Sequence, residues 1–175
     1  MNFVVIDTNV LIVANGGDGK SATMSSKCEK NCIDRLERVK ASETPVVDAG
    51  WLIFNEYNQK CSTKGAPTPG NTFLKWMLQK TERFEAVNIT ALNHPEDTIF
   101  EEFPNDPDLE NAFDPADRKF VAVANAHPDK PPILEAADSK WLGWEEPLAK
   151  KGIRVDFVCR EELAIIREKK SKKKQ

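Results

Sequence analysis

Four apolar residues, Phe3-Val4-Val5-Ile6, run straight into an aspartate, and this junction restricts the architectures open to the chain more than any other stretch. A β-branched apolar run without polar alternation reads as a strand covered on both faces, as at the centre of a parallel sheet. A second apolar stretch, Val10 to Ala14, begins almost at once and reads as helix. Asp7 therefore falls at the carboxyl end of a central strand, where open α/β sheets collect their ligands. Taking a lone carboxylate out of water is costly, so it needs a metal ion, a cation or a proton for company. The competing account is a helix cap, with Asp7 accepting from the N–H groups of the helix that follows.

The rest of the chain repeats the alternation. Strands are expected at Phe3–Ile6, Pro45–Val47, Phe84–Ile89, Pro132–Glu135 and Arg154–Val158. Between and after them, helices are expected over Cys28–Ala41, Ala49–Cys61 with Asp48 as its cap, Asn71–Thr81, Pro115–Ala126, Trp141–Lys151 with its stop at Gly152, and Glu161–Lys169. This pattern predicts an α/β fold: a three-layer α/β/α domain over residues 1–160 with a central, mainly parallel five-stranded sheet. A C-terminal helix and a basic, disordered tail are expected over 161–175. With 175 residues, 40% of them hydrophobic, the chain can bury a core without disulfide staples.

The apolar start is broken by Asp7 and Asn9 and lacks a basic leader, so a signal peptide is not expected, and no stretch is long enough to span a membrane. A cytoplasmic setting with reduced thiols follows. Cys28 and Cys32 share one helix face but supply only half a zinc site. Cys61 and Cys159 lack the spacing to complete it, so buried free thiols are expected. His94 and His127 stand beside prolines, in surface or turn contexts. Trp141 and Trp144 are expected to pack rather than stack on bases.

Charge is unevenly placed. Six basic residues against one acid from Arg167 to Gln175 leave the rest of the chain at −8 within a net −3. A purely electrostatic nucleic-acid binder would be basic across its body. The insertion Asn93–Asp114 holds eight acids between Glu96 and Asp114 and reads as a solvated acidic flap.

Four acids stand out against the pattern: Asp7 and Asp138 after strands, Asp117 at a helix start, and Glu56 on the buried face of an apolar helix. In a doubly wound sheet all four can reach one crevice. Crowded carboxylates repel and demand cations, and oxygen-only ligands select Mg²⁺ or Mn²⁺ over zinc. Such ions, with water positions open, serve phosphodiester hydrolysis.

The order Val5-Ile6-Asp7-Thr8-Asn9, then Glu56, then Asp117 before Phe120-Val121-Ala122-Val123-Ala124, then Asp138 before an aromatic-rich helix, resembles the PIN-domain nucleases from Phe3 to about Val158. The resemblance implies a Mg²⁺- or Mn²⁺-dependent endoribonuclease that cleaves RNA to 5′-phosphate and 3′-hydroxyl ends. Asp7, Glu56, Asp117 and Asp138 would be its catalytic and metal-binding residues. Thr8 and Asn9 match the polar support after the first aspartate, and Asp114 is auxiliary. Arg118, Lys119 and Lys140 adjoin two of these acids and are candidates for the substrate backbone. Partners consistent with the resemblance are the RNA substrate, an inhibitor or antitoxin protein, and a second copy of the chain. The chain is longer than compact toxin members, and its acidic insertion is unlike theirs.

Three other readings compete. A non-catalytic scaffold could bind RNA or protein through the same fold. Ala14-Asn15-Gly16-Gly17-Asp18-Gly19-Lys20-Ser21 loosely matches a nucleotide-binding phosphate loop, which should spring directly from a strand. A phosphatase forming an aspartyl-phosphate on Asp7 would want an acid where Asn9 stands.

Overall fold

A computed structural model describes residues 2–17, 24–64, 66–92 and 99–173. Five strands form one all-parallel sheet: β1 (Phe3–Ile6), β2 (Thr44–Asp48), β3 (Glu85–Val87), β4 (Ile133–Glu135) and β5 (Val155–Phe157), in the order β3-β2-β1-β4-β5. The helices are α1 (Thr8–Ala14), α2 (Ser26–Ser42), α3 (Leu52–Lys60), α4 (Pro69–Leu78), α5 (Pro107–Ala112), α6 (Arg118–Ala126), α7 (Trp141–Lys150) and α8 (Arg160–Lys172). The expected strands and helices all appear, with shifted ends.

Strand order reverses at β1. The chain moves outward through β2 and β3, then returns to the other side of β1 for β4 and β5. Right-handed crossovers place α1–α4 on one face and α6 and α7 on the other, which gives the three layers. Contacts agree: α1 lies against α2, α3 and α4, while α6 covers β1, β2 and β4. Burial on both faces explains the unbroken apolar run of β1, whose Val4, Val5 and Ile6 are at most 1% exposed. Each such side chain contributes about 1.5–3 kcal/mol.

Three local results differ from expectation. The helix expected from Ala49 starts only at Leu52, because Trp51 takes a left-handed backbone (φ 66°) and the Asp48 carboxylate accepts from the N–H groups of Leu52 and Ile53 at 2.8 Å each. The acidic insertion contains a short helix, α5, opened by Pro107 and capped by Asp106; residues 93–98 lie outside the described part. The last helix continues to Lys172, with Lys169, Lys170 and Lys172 in its final turn, where the helix dipole favours cations.

Cys28 and Cys159 form a disulfide with Cα atoms 5.6 Å apart, so the expectation of four free thiols is corrected; Cys32 and Cys61 remain free and buried. Spacing along the chain could not show this pairing, since 131 residues separate the partners. Trp141 and Trp144 pack on Phe113, with centroids 5.1 and 3.9 Å from its ring. Among the described residues no helix is long and apolar enough to cross a membrane.

Candidate functional site

Strand order reverses between β1 and β4, and an open α/β sheet places its ligand crevice at the carboxyl ends of such a pair. Val5 is registered with Ile133 and Ile6 with Leu134, and the Asp7 N–H continues the ladder onto the Leu134 carbonyl at 3.0 Å. Carried one residue further, that register sets Asp7 beside Glu135. Both carboxylates are buried, Asp7 to 2% and Glu135 to 0% exposure.

Each uses only one of its oxygens. Asp7 Oδ1 accepts from the Asn9 N–H at 2.8 Å, which is the helix cap weighed above. Asp7 Oδ2 is buried with no hydrogen-bond partner among the described residues. Glu135 Oε1 accepts from the N–H groups of Ala137 at 2.7 Å and Asp138 at 2.6 Å, while its Oε2 is likewise buried and unpartnered. The cap account of Asp7 is therefore correct for one oxygen and leaves the other unexplained.

The helices supply the remaining acids. Asp117 ends a 3-10 turn (Pro115–Asp117) at the entrance to α6, and Asp114 caps that turn through the Ala116 N–H at 3.2 Å. Asp138 Oδ1 accepts from the Lys140 N–H at 2.9 Å at the entrance to α7. Glu56, on α3, pairs through Oε2 with Lys119 Nζ at 2.5 Å. The next residue, Tyr57, donates to the Ile6 carbonyl at 2.5 Å and so pins α3 to the end of β1.

These groups act on one another. Asp7 is held well above the usual carboxylate range, chiefly by burial and then by the charges of Glu135, Asp117 and Glu56, against the pull of the Asn9 N–H. Burial pushes Asp117 up to about 7; Asp114, Asp138 and Glu56 add to the rise and Lys119 opposes it. Glu135 is also raised to about 7, mainly by burial, with the Asp138 and Ala137 N–H groups lowering it and Asp138 and Asp117 raising it. The hydrogen bond from Lys140 holds Asp114 below the usual range. The four predicted acids and Glu135 thus share one electrostatic field.

The donor set suits a hard cation. It offers carboxylate oxygens without histidine or cysteine, two of them buried without a hydrogen-bond partner among the described residues. No three of the carboxylates bring their oxygens within 4.8 Å of one another; among the described residues only Cys28, Cys32 and Cys159 meet that spacing.

The other candidate residues take the following places. Arg118 is buried; its guanidinium donates to the Glu110 carbonyl at 2.5 Å and lies over the Phe103 ring, so it braces the α5–α6 junction. Lys119 is buried between Glu56 and the Ala116 carbonyl. Lys140 is exposed and pairs with Asp114 at 3.0 Å. Thr8 is buried with its hydroxyl unpartnered, and Asn9 serves Asp7 through its backbone. His127 is buried at the end of α6, against Phe3 and 3.3 Å from Glu85. His94 and residues 18–21 of the phosphate-loop match lie outside the described residues; the part described follows helix α1 rather than a strand.

Glu135 is not among the acids expected from the sequence, although its signal is the same as that of Asp7, an acid closing an apolar strand. Asp48 shows why position alone is not enough. It closes β2 and is buried, yet both its oxygens are engaged in capping α3.

The fold and the site define a doubly wound α/β protein with an acidic crevice at its switch point. No protein-family profile, curated protein or solved structure matches the chain.

Proposed function

We propose that the protein is a metal-dependent ribonuclease of the PIN type, acting through Asp7, Glu56, Asp117 and Asp138 together with Glu135. One observation carries the reading: two buried carboxylate oxygens, Asp7 Oδ2 and Glu135 Oε2, stand unpartnered at the sheet's switch point. Asp7 and Glu135 would hold Mg²⁺ or Mn²⁺ from the strand side, and Asp117 and Asp138 from the helix entrances. When bound, such an ion lowers the pKa of water and neutralises charge on phosphoryl oxygens. Glu56, held by Lys119, borders the same field and would orient the attacking water.

A polyanionic substrate suits the surroundings. On α8, Lys170 Nζ lies 3.3 Å from the hydroxyl of Ser139, the neighbour of Asp138. Gly143 leaves room for Arg167, whose guanidinium would lie 3.0 Å from a Cβ placed there. Arg167 and Lys170 would add to Arg118, Lys119 and Lys140 as candidates to position a phosphate backbone.

The test is cleavage of end-labelled single-stranded RNA in Mn²⁺ or Mg²⁺ and in chelator. Metal-dependent cleavage is expected, with at least a hundredfold loss in Asp7→Asn and in Asp117→Asn, of the order seen when a group that stabilises a transition state is removed. Full activity in both variants would refute the reading, and RNA binding without cleavage by the metal-loaded protein would favour the scaffold.

A further inference from the structure

Three of the cysteines cluster within reach of the acidic site, where burial and then the charge of Glu135 push the Cys32 thiol up to about 12. Cys28 and Cys32 lie one turn apart on α2, and Cys159 immediately precedes α8. All three are buried, at 2%, 0% and 6% exposure. Their sulfurs lie within 4.8 Å of one another, and the Cys159 Sγ also approaches the Cys28 carbonyl at 3.7 Å.

A disulfide accounts for two of these sulfurs and leaves the third without a role. A shared metal ion accounts for all three. With metal–sulfur bonds of about 2.3 Å, tetrahedral or trigonal coordination sets the sulfurs about 3.8–4.0 Å apart, inside the spacing seen here. An open cleft of about 530 Å³, lined by Ser25, Cys28, Cys159 and Glu162, reaches the cluster from solvent. Glu162 is engaged with the Ser25 N–H and hydroxyl at 2.7 Å each, so a fourth ligand would be water entering through the cleft.

We propose that Cys28, Cys32 and Cys159, when reduced, form an all-sulfur site for a thiophilic d¹⁰ cation, the class of Zn²⁺, Cd²⁺ and Cu⁺. Thiolate ligands select such ions over the hard cations that suit the carboxylate crevice. The site and the disulfide exclude each other, because oxidation leaves only Cys32 of the three as a thiol. Conversion needs two electrons from a reductant: a phosphine and water give phosphine oxide, and the disulfide takes two electrons and two protons to become two thiols. Metal entry then displaces thiol protons.

The experiment uses the full chain, reduced with a phosphine, desalted without oxygen and titrated with Cd²⁺ while sulfur-to-metal charge-transfer absorption is followed. A band saturating at one equivalent is expected, reversed by excess chelator and absent from the oxidised protein. Cys32→Ser should weaken binding about 100-fold or more, since even outer-shell changes cost 10–100-fold, whereas Cys61→Ser should leave the titration unchanged. Absence of the band in the reduced natural chain would overturn the proposal without reference to any variant. Its persistence at full strength in both Cys32→Ser and Cys159→Ser would overturn it too. Carboxylates give no such band, so this result is separate from the fate of the nuclease reading.

Discussion

Replacing Glu135 by glutamine removes one charge from the crevice and little else. The amide oxygen can still accept from Ala137 and Asp138, and the amide nitrogen takes the place of the unpartnered Oε2. Raising Glu135 from 4.5 to about 7 corresponds to about 3 kcal/mol against the charged form in the fold. The sign follows from proton binding. The folded chain holds this proton more tightly than the unfolded one, so stability falls as pH rises from about 4.5 to about 7, with the full penalty present above that window and none below it. In chelator at pH 8, Glu135→Gln should therefore be the more stable protein by up to about 3 kcal/mol. For a chain of this size that is a Tm higher by about 6–12 °C. At pH 5 the advantage should shrink below about 1 kcal/mol. Millimolar Mn²⁺ should raise the Tm of the natural chain more than that of the variant, because the ion binds only the fold and loses a ligand in the variant. Thermal melts at the two pH values, with chelator and with Mn²⁺, decide the matter. A variant that melts below the natural chain by the same margin at pH 5 and pH 8 would refute the reasoning.

Two further outcomes follow from the geometry. Asp48→Ala should cost about 1–2 kcal/mol in urea unfolding through loss of the α3 cap, while RNA cleavage below the melting range stays close to that of the natural chain; a hundredfold loss of cleavage would place Asp48 in the site. Reducing the Cys28–Cys159 disulfide opens a loop spanning 131 residues and should lower unfolding stability in metal-free buffer by up to about 5 kcal/mol on the chain-entropy account, and an unchanged urea midpoint would contradict that bond's role.

The fold was legible because its causes are local. Val4, Val5 and Ile6 have no polar neighbour to turn towards water, and only the middle of a parallel sheet covers both faces of such a strand. The site was partly legible for the same reason: Asp7 ends an apolar run, and that can be seen without coordinates. The burial of Arg118 and Lys119 was not legible, because a basic residue beside an acid reads as a surface charge. Their burial comes from the Glu110 carbonyl and the Glu56 carboxylate, eight and 63 positions away. Cys159 was unreadable as a partner of Cys28 for the same physical reason.

The sequence by itself determined the alternation of strand and helix, the central place of β1 and the presence of acids at strand ends. Tertiary structure alone decided which of those acids keep an unpartnered oxygen. Asp7, Asp48 and Glu135 all close apolar strands and all are buried. Asp48 has both oxygens occupied by N–H groups of the next helix, whereas Asp7 and Glu135 meet across the point where strand order reverses, each with one oxygen unpartnered. Strand-end position is a property of the local chain. A carboxylate's unused bonding capacity depends on every group folded against it.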